Sequence, residues 1–288
     1  MSYTEIQLET GELEEVWRER ALSLLKEEPD KVQGLILQLR ELGEKENPNL
    51  KLPTENGFYL KFLRGGLMDP ETSMEIIRNY YKLKMNNPQY FKSCSSIEEL
   101  AKSTYPSQIQ AMLPFRDGHG RRIYVFRPGK WNPDKIPFND IFCASYMLCE
   151  MIAREERTQI AGITAIVDAQ GFGFKQMRAI GLENGKNMAS FFNIAFPVWL
   201  RQSHVLNAPR VFHMLFNMMH PFLNDTVKEE VVFHSGDITS TLKEYFRLDL
   251  LPKDLGGTGS IVDNSNNVEQ LRSMKEYMSN LGNFGYEK

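Results

Sequence analysis

The 288-residue chain lacks any uninterrupted apolar run of about 18 residues, the length that a bilayer-spanning helix requires. It has little of what metal and redox sites need. There are three cysteines (Cys94, Cys143 and Cys149) with no CxxC pair, and five histidines with neither an HExxH motif nor zinc-ligand spacing. No metal and no cofactor are therefore expected. Charge of one sign is lacking too: 34 Lys and Arg face 37 Asp and Glu, a net charge of −3, which predicts no general attraction to nucleic acid. No GxSxG nucleophile elbow occurs. Gly181-Leu-Glu-Asn-Gly185-Lys186 is one residue short of a phosphate loop and has Asn187 where Ser or Thr would hold magnesium. Gly256-Gly-Thr-Gly259 follows a proline-containing loop rather than a strand, so it is no dinucleotide fingerprint. His213 and His220 are seven residues apart on one predicted helix, a spacing that cannot chelate from adjacent turns. Asp168 closes a predicted parallel strand, a position where catalytic carboxylates often sit, but the favoured reading is a cap for loop amides. No acid, base and nucleophile assemble, so no enzyme is expected. The acidic, polar start MSYTEIQLETGELEE resembles neither a signal nor a transit peptide. Cys143 and Cys149 lie in an apolar run, as small buried hydrophobes of a reducing compartment do. A soluble cytoplasmic protein is predicted.

What is present is an ordinary globular composition, 42% apolar and 25% charged, long enough to bury a core without disulfide staples. The first third reads as helices. Leu13, Val16, Trp17, Leu22 and Leu25 recur near a 3.6 period between Gly11 and Lys26, and Val32, Leu35, Ile36, Leu39 and Leu42 do so after Pro29. A third helix is predicted over Phe58 to Leu63, and Asp69-Pro70-Glu71 opens a fourth with an N-cap and a proline at its first position. After Pro114 the pattern changes. A turn at Asp117-Gly-His-Gly120 precedes a strand, Arg122 to Phe126, and a largely apolar helix follows from Phe138 to Arg154. Gly162 to Val167 is an apolar run of strand length, suited to a sheet covered on both faces. Helices near Met177–Phe192, Arg210–Leu223 and Thr239–Phe246 alternate with strands near Ser203–Leu206 and Val231–His234. The expected fold is α/β, with a helical N-terminal lobe and a small, mostly parallel sheet.

The apolar excess sits in odd places. Arg210 to Leu223 is apolar over most of its circumference, with Arg210, His213, Asn217 and His220 on one stripe. Such a helix is buried or faces a lipid or a partner, and at this length it cannot span a bilayer. Its mixture of methionine and phenylalanine suits closure on an irregular apolar ligand. Met188–Trp199 adds Phe191, Phe192 and Phe196, and Ile141–Ile152 adds Phe142, Tyr146 and Met151. Three apolar helices around one small sheet predict a hydrophobic cavity.

In this light the chain resembles the CRAL-TRIO lipid-transfer family, in the branch of α-tocopherol transfer protein and cellular retinaldehyde-binding protein. The resemblance is carried by Leu60-Lys-Phe-Leu-Arg64, Asn79-Tyr-Tyr-Lys82, Arg122-Ile-Tyr-Val-Phe-Arg127 and Gly162-Ile-Thr-Ala-Ile-Val-Asp168 with Gly171. It continues through Phe196-Pro197, His204-Val-Leu-Asn-Ala-Pro209, Pro221-Phe-Leu223 and Leu251-Pro-Lys-Asp-Leu-Gly-Gly257, in order across residues 12–260. It implies a helical module (residues 1–95), a lipid-binding cage with a lid helix (96–260) and a helical tail (261–288). It also implies a monomer that carries one tocopherol-, retinoid- or carotenoid-like molecule and associates transiently with membranes. Pocket positions carried over fall on Phe142, Ser145, Tyr146, Cys149, Ile163, Val167, Met188, Phe191, Phe192, Ser203, Phe212, Phe216, Met219 and Leu223. Relatives in this branch engage phosphoinositides through a basic patch beside the lid. Here Arg201 and Lys228 persist, Arg210 partly compensates, and Trp199, Thr226 and Glu230 replace other patch positions. The alternatives are a phosphatidylinositol or phospholipid exchanger, which needs a cationic subsite in the cage, and a lipid-gated module that binds a protein partner.

Overall fold

A computed structural model describes residues 6–46, 49–91, 97–261 and 264–287; Cys94 and the expected boundary at 95/96 lie outside them. The helical periodicity of the first third is realised. α1 (Glu15–Leu25) and α2 (Pro29–Glu46) bury Trp17, Ala21, Leu25, Ile36 and Leu39. After the two-residue strand β1 (Leu50–Lys51) come α3 (Asn56–Gly65) and α4 (Pro70–Asn86). The Asp69 carboxylate accepts the Thr72 amide at 2.8 Å, and Pro70 stands where the helix needs no amide hydrogen. The short helix α5 (Ile97–Ser103) leads into the sheet.

The sheet has five strands, adjacent in chain order: β2 (Gln110–Arg116), β3 (Arg122–Phe126), β4 (Ile163–Asp168), β5 (Leu200–Leu206) and β6 (Val231–Phe233). β3 to β6 run parallel, while β2 pairs antiparallel with β3 through the Asp117–Gly120 turn. β2 escapes the sequence pattern because Pro114 reads as a break. It is tolerated because β2 is an edge strand whose register shifts between Met112 and Arg116, where no ladder amide is required. The crossovers are α6 (Phe138–Ile152) with α7 (Glu156–Ala161), α8 (Phe174–Ser190), and α9 (Arg210–Met219) with α10 (Asp225–Glu229). Among the described residues no helix is long and apolar enough to cross a membrane.

Side-chain alternation along the strands divides the interior into two cores. Ile123, Val125, Ile166 and Leu206 pack with Leu242 and Phe246, which follow from α11 (Ile238–Leu242). Ile163, Ala165 and Tyr124 point the other way, toward α6, α8, α9 and the helical lobe. The tail contains α12 (Ser265–Ser273) and α13 (Lys275–Asn280) and ends in a strand, β7 (Gly285–Tyr286), paired with β1. It thereby ties the cage to the helical lobe. Asn264 donates to the Tyr105 and Gln110 carbonyls at 2.9 and 2.8 Å, and Lys84 of α4 donates to the Leu281 carbonyl at 2.7 Å. A buried ion network does the same for the N-terminal segment. Glu155, fully buried, accepts from Arg122 at 2.5 and 2.9 Å, from Arg116 at 3.0 Å, from the Thr158 hydroxyl at 2.6 Å and from the Glu9 amide at 2.9 Å.

A buried histidine pair lies in the second core. Thr241 donates its hydroxyl to the Ile238 carbonyl at 3.0 Å, so it accepts from His234 Nδ1 at 2.9 Å. His234 Nε2 then accepts from His204 Nδ1 at 2.9 Å, leaving His204 Nε2 unprotonated and, among the described residues, without a partner. Burial pushes the His204 imidazolium pKa down to about 3, helped by His234 and Arg121. A pKa lower in the folded chain than in the unfolded one means that stability is full above the unfolded value near 6.5 and is lost as pH falls toward 3. His204→Phe, which keeps a ring against Tyr245 and Phe246, is expected to flatten the fall in urea-melt stability between pH 6.5 and 4. An unchanged pH slope would contradict this origin.

Candidate functional site: an apolar cavity beneath α9

Two chain features shape the cavity walls. α8 is broken at Gly181, whose φ of 62° and ψ of 179° lie outside the helical range. Its second half continues into a single π-helical turn, Phe191–Ala195, and this bend brings Met188 and Phe192 over the sheet. Gly185 provides a close approach: a Cβ there would stand 2.5 Å from Met219 Sδ, so the bare backbone lets the end of α9 settle onto α8. α9 itself stops at Met219 rather than Leu223. Pro221 has no amide hydrogen for the Asn217 carbonyl, and the chain closes in a 3₁₀ turn over His220–Phe222. The polar stripe of Arg210, His213, Asn217 and His220 is exposed, as its spacing predicts, while Leu215 and Met219 are buried and Phe212 and Phe216 half-buried.

Beneath α9 lies a cavity of about 210 Å³. Its floor is a cross-strand row: Phe126 is paired with Val167, and Val167 with Val205. Ser203 is beside it, Met188 and Phe192 form one wall, and Phe212, Phe216, Met219 and Leu223 form the roof. Among the described residues none in the lining is charged, and the Ser203 hydroxyl and the Asn193 amide are the polar side-chain groups there.

Val167, Met188, Phe192, Ser203, Phe212, Phe216, Met219 and Leu223 thus come together. The structure places the other expected pocket residues behind them. Phe191 is 1% exposed and packs on Phe142 (5.6 Å between ring centroids), Phe196 (4.9 Å) and Phe192 (5.0 Å). Tyr146 turns its hydroxyl to Tyr80 at 2.7 Å. Ser145 bonds Gln110, Tyr124 and the Ile141 carbonyl. Cys149 and Ile163 are buried, and burial raises the Cys149 thiol pKa far above its usual range. Leu215 and Val205 also line the cavity but escaped the sequence reading. Both had a signal: Val205 is two residues along the strand from Ser203, and Leu215 falls on the helical face of Phe212, Phe216 and Met219. Asp168 is a cap, accepting from the Gln170 amide at 3.2 Å and from Asn207 at 2.9 Å.

Of the expected membrane-facing residues, Arg201 lies flat over Trp199, with 4.4 Å from guanidinium to ring centroid. The Trp199 indole donates to the Gly65 carbonyl at 2.8 Å, joining this patch to the helical lobe. Lys228 is paired with Asp225 at 2.9 Å, and Arg210 stands exposed at the start of α9. Burial, with Arg121 nearby, lowers the Arg201 pKa.

A mostly parallel sheet carrying an apolar cavity under a helix with one polar stripe has the make-up of a lipid-binding α/β domain. The comparisons agree with this class. The CRAL/TRIO domain model matches residues 106–257, and the chain belongs to that family of lipid-binding and lipid-transfer proteins. It is 28% identical over 244 residues to human (Homo sapiens) alpha-tocopherol transfer protein-like, spanning 85% of this chain and 70% of the relative. It is 26% identical over 240 residues to rat (Rattus norvegicus) clavesin-1, spanning 83% and 68%. The crystal structure of Sfh5 shares the fold, with a TM-score of 0.56 over 88% of this chain and 99% of its own at 14% identity.

Proposed function

We propose that the protein is a cytoplasmic, monomeric, non-catalytic carrier that holds one tocopherol-, retinoid- or carotenoid-like molecule beneath α9 and exchanges it at membranes. The uncharged lining carries this reading. A phospholipid head group would be stranded there without a cationic partner, a cost of several kcal/mol, whereas a polyene or chromanol needs only a hydrogen bond such as Ser203 offers. At about 210 Å³ the cavity is below the usual ligand-pocket range of roughly 300–1,000 Å³, so loading requires Met188 and Met219 to repack and α9 to lift. Exchange is then a change in α9 contacts rather than a chemical step, and the equilibrium shifts only by the difference between ligand contacts and lipid contacts.

Phosphoinositide assistance is part of the proposal, with a reduced share. Each basic residue near an anionic surface contributes about 1 kcal/mol. Lys228 already pairs with Asp225, while Trp199 supports Arg201 and suits an interface. In ligand transfer between vesicles with and without phosphoinositide, Trp199→Ala is expected to slow transfer more than Lys228→Ala, with salt screening the small phosphoinositide stimulation. A strong phosphoinositide dependence that survives Trp199→Ala and vanishes with Lys228→Ala would contradict it.

A further inference from the structure

We propose that a second pocket, open to solvent on one side and lined by residues of α3, α4, α7 and the C-terminal tail, binds a small aromatic or short-chain monocarboxylate. At about 450 Å³ it is more than twice the volume of the cavity under α9 and falls within the range of ligand pockets. Aromatic walls from Phe58, Tyr81 and Phe284 would cover an apolar body. Most charges around it are already committed. Lys61, buried in the floor, is 3.3 Å from the Glu150 carboxylate, which also accepts from the Tyr80 and Tyr277 hydroxyls at 2.9 and 3.3 Å. Arg64 is held by Glu27 at 2.7 and 2.8 Å, by Glu156 at 2.8 Å and by Gln159 at 2.7 Å.

Arg154 is different. It is exposed, its guanidinium lies 5.0 Å from the Tyr277 ring centroid, and among the described residues it has no carboxylate partner. A guanidinium stacked on a ring keeps its edge N–H groups free for a planar, two-point acceptor, which a carboxylate supplies. Glu55 also belongs to the lining and opposes a second negative charge, which favours a monocarboxylate over a phosphate ester. The site does not depend on what occupies the space under α9. The two cavities are separated by the Tyr80–Tyr146 hydroxyl contact and the packing of Tyr146 on Phe191.

The test is calorimetric titration of the full chain with phenylacetate and with its neutral counterpart phenylacetamide, checked by amide chemical-shift changes. Phenylacetate is expected to bind with a dissociation constant of about 1 mM or tighter, about tenfold more tightly than phenylacetamide. Arg154→Gln, at an exposed position, should remove that preference and leave phenylacetamide binding unchanged. Leu281→Trp should fill the cavity and abolish binding of both. The proposal is overturned if phenylacetate fails to bind in this range, if the two probes bind equally, or if the preference survives Arg154→Gln. Binding that persists undiminished in Leu281→Trp overturns it as well.

Discussion

Phe216→Asp is expected to weaken binding of the hydrophobic ligand by about a hundredfold or more while the protein stays folded. Phe216 sits on α9 at the cavity roof, half-buried, with its ring 5.1 Å from Phe233 and 5.8 Å from His220. In the unloaded chain an aspartate there can reach water. Loading would enclose the carboxylate against apolar groups with no partner, a cost of several kcal/mol, and about 2.7 kcal/mol is already a hundredfold in affinity. Phe191→Asp gives a different result for a structural reason. Phe191 is 1% exposed among Phe142, Phe192 and Phe196, so a charge there unfolds the core whatever the ligand. Fluorescence titration with a polyene probe, alongside a thermal melt, separates the two. Parent-like affinity in a folded Phe216→Asp protein would place the ligand elsewhere.

Glu155→Ala is expected to destabilise the fold by about 3–5 kcal/mol, the usual cost of removing one partner from a buried charge cluster. Burial by itself would raise the Glu155 carboxyl pKa, but the hydrogen bonds and charges of Arg122 and Arg116 and the Thr158 hydroxyl hold it below the usual range. Without it, two buried guanidinium groups lose their shared counter-ion, and the Glu9 amide loses its acceptor. Urea unfolding of Glu155→Ala and Glu155→Gln measures the effect, with the glutamine variant losing less because it keeps an acceptor. A loss below about 1 kcal/mol for the alanine variant would mean that the arginines rehydrate and that the network stabilises little.

Much of this architecture was legible in the sequence because it is written in local periodicity. The helices of the first third and the polar stripe of α9 repeat at the helical period, and β4 shows as an unbroken apolar run of strand length between turn residues. The hydrophobic roof of the cavity follows from the same stripe. What sequence could not supply was depth. Phe191 and Phe192 are neighbours of equal hydrophobicity, yet the π-helical turn after α8 sends one into the core and the other to the cavity. Likewise the aromatic character of α6 serves the interface with the helical lobe, through Tyr146–Tyr80 and the stacked Phe142–Tyr90 pair (4.4 Å), rather than the cavity wall. β2 was hidden by Pro114, and the His204–His234 pair by a separation of 30 residues that only the parallel register of β5 and β6 closes. Long-range polar contacts leave no periodic trace.

Native mass spectrometry of the protein purified from its own cells, followed by organic extraction, tests the central claim most directly. One neutral, predominantly apolar molecule is expected per chain, released on denaturation and absent from the folded Phe216→Asp variant. A protein that carries no such molecule and takes none up from lipid extract, or a Phe216→Asp variant that retains it at full occupancy, would contradict the assignment of the space beneath α9 as a carrier's pocket.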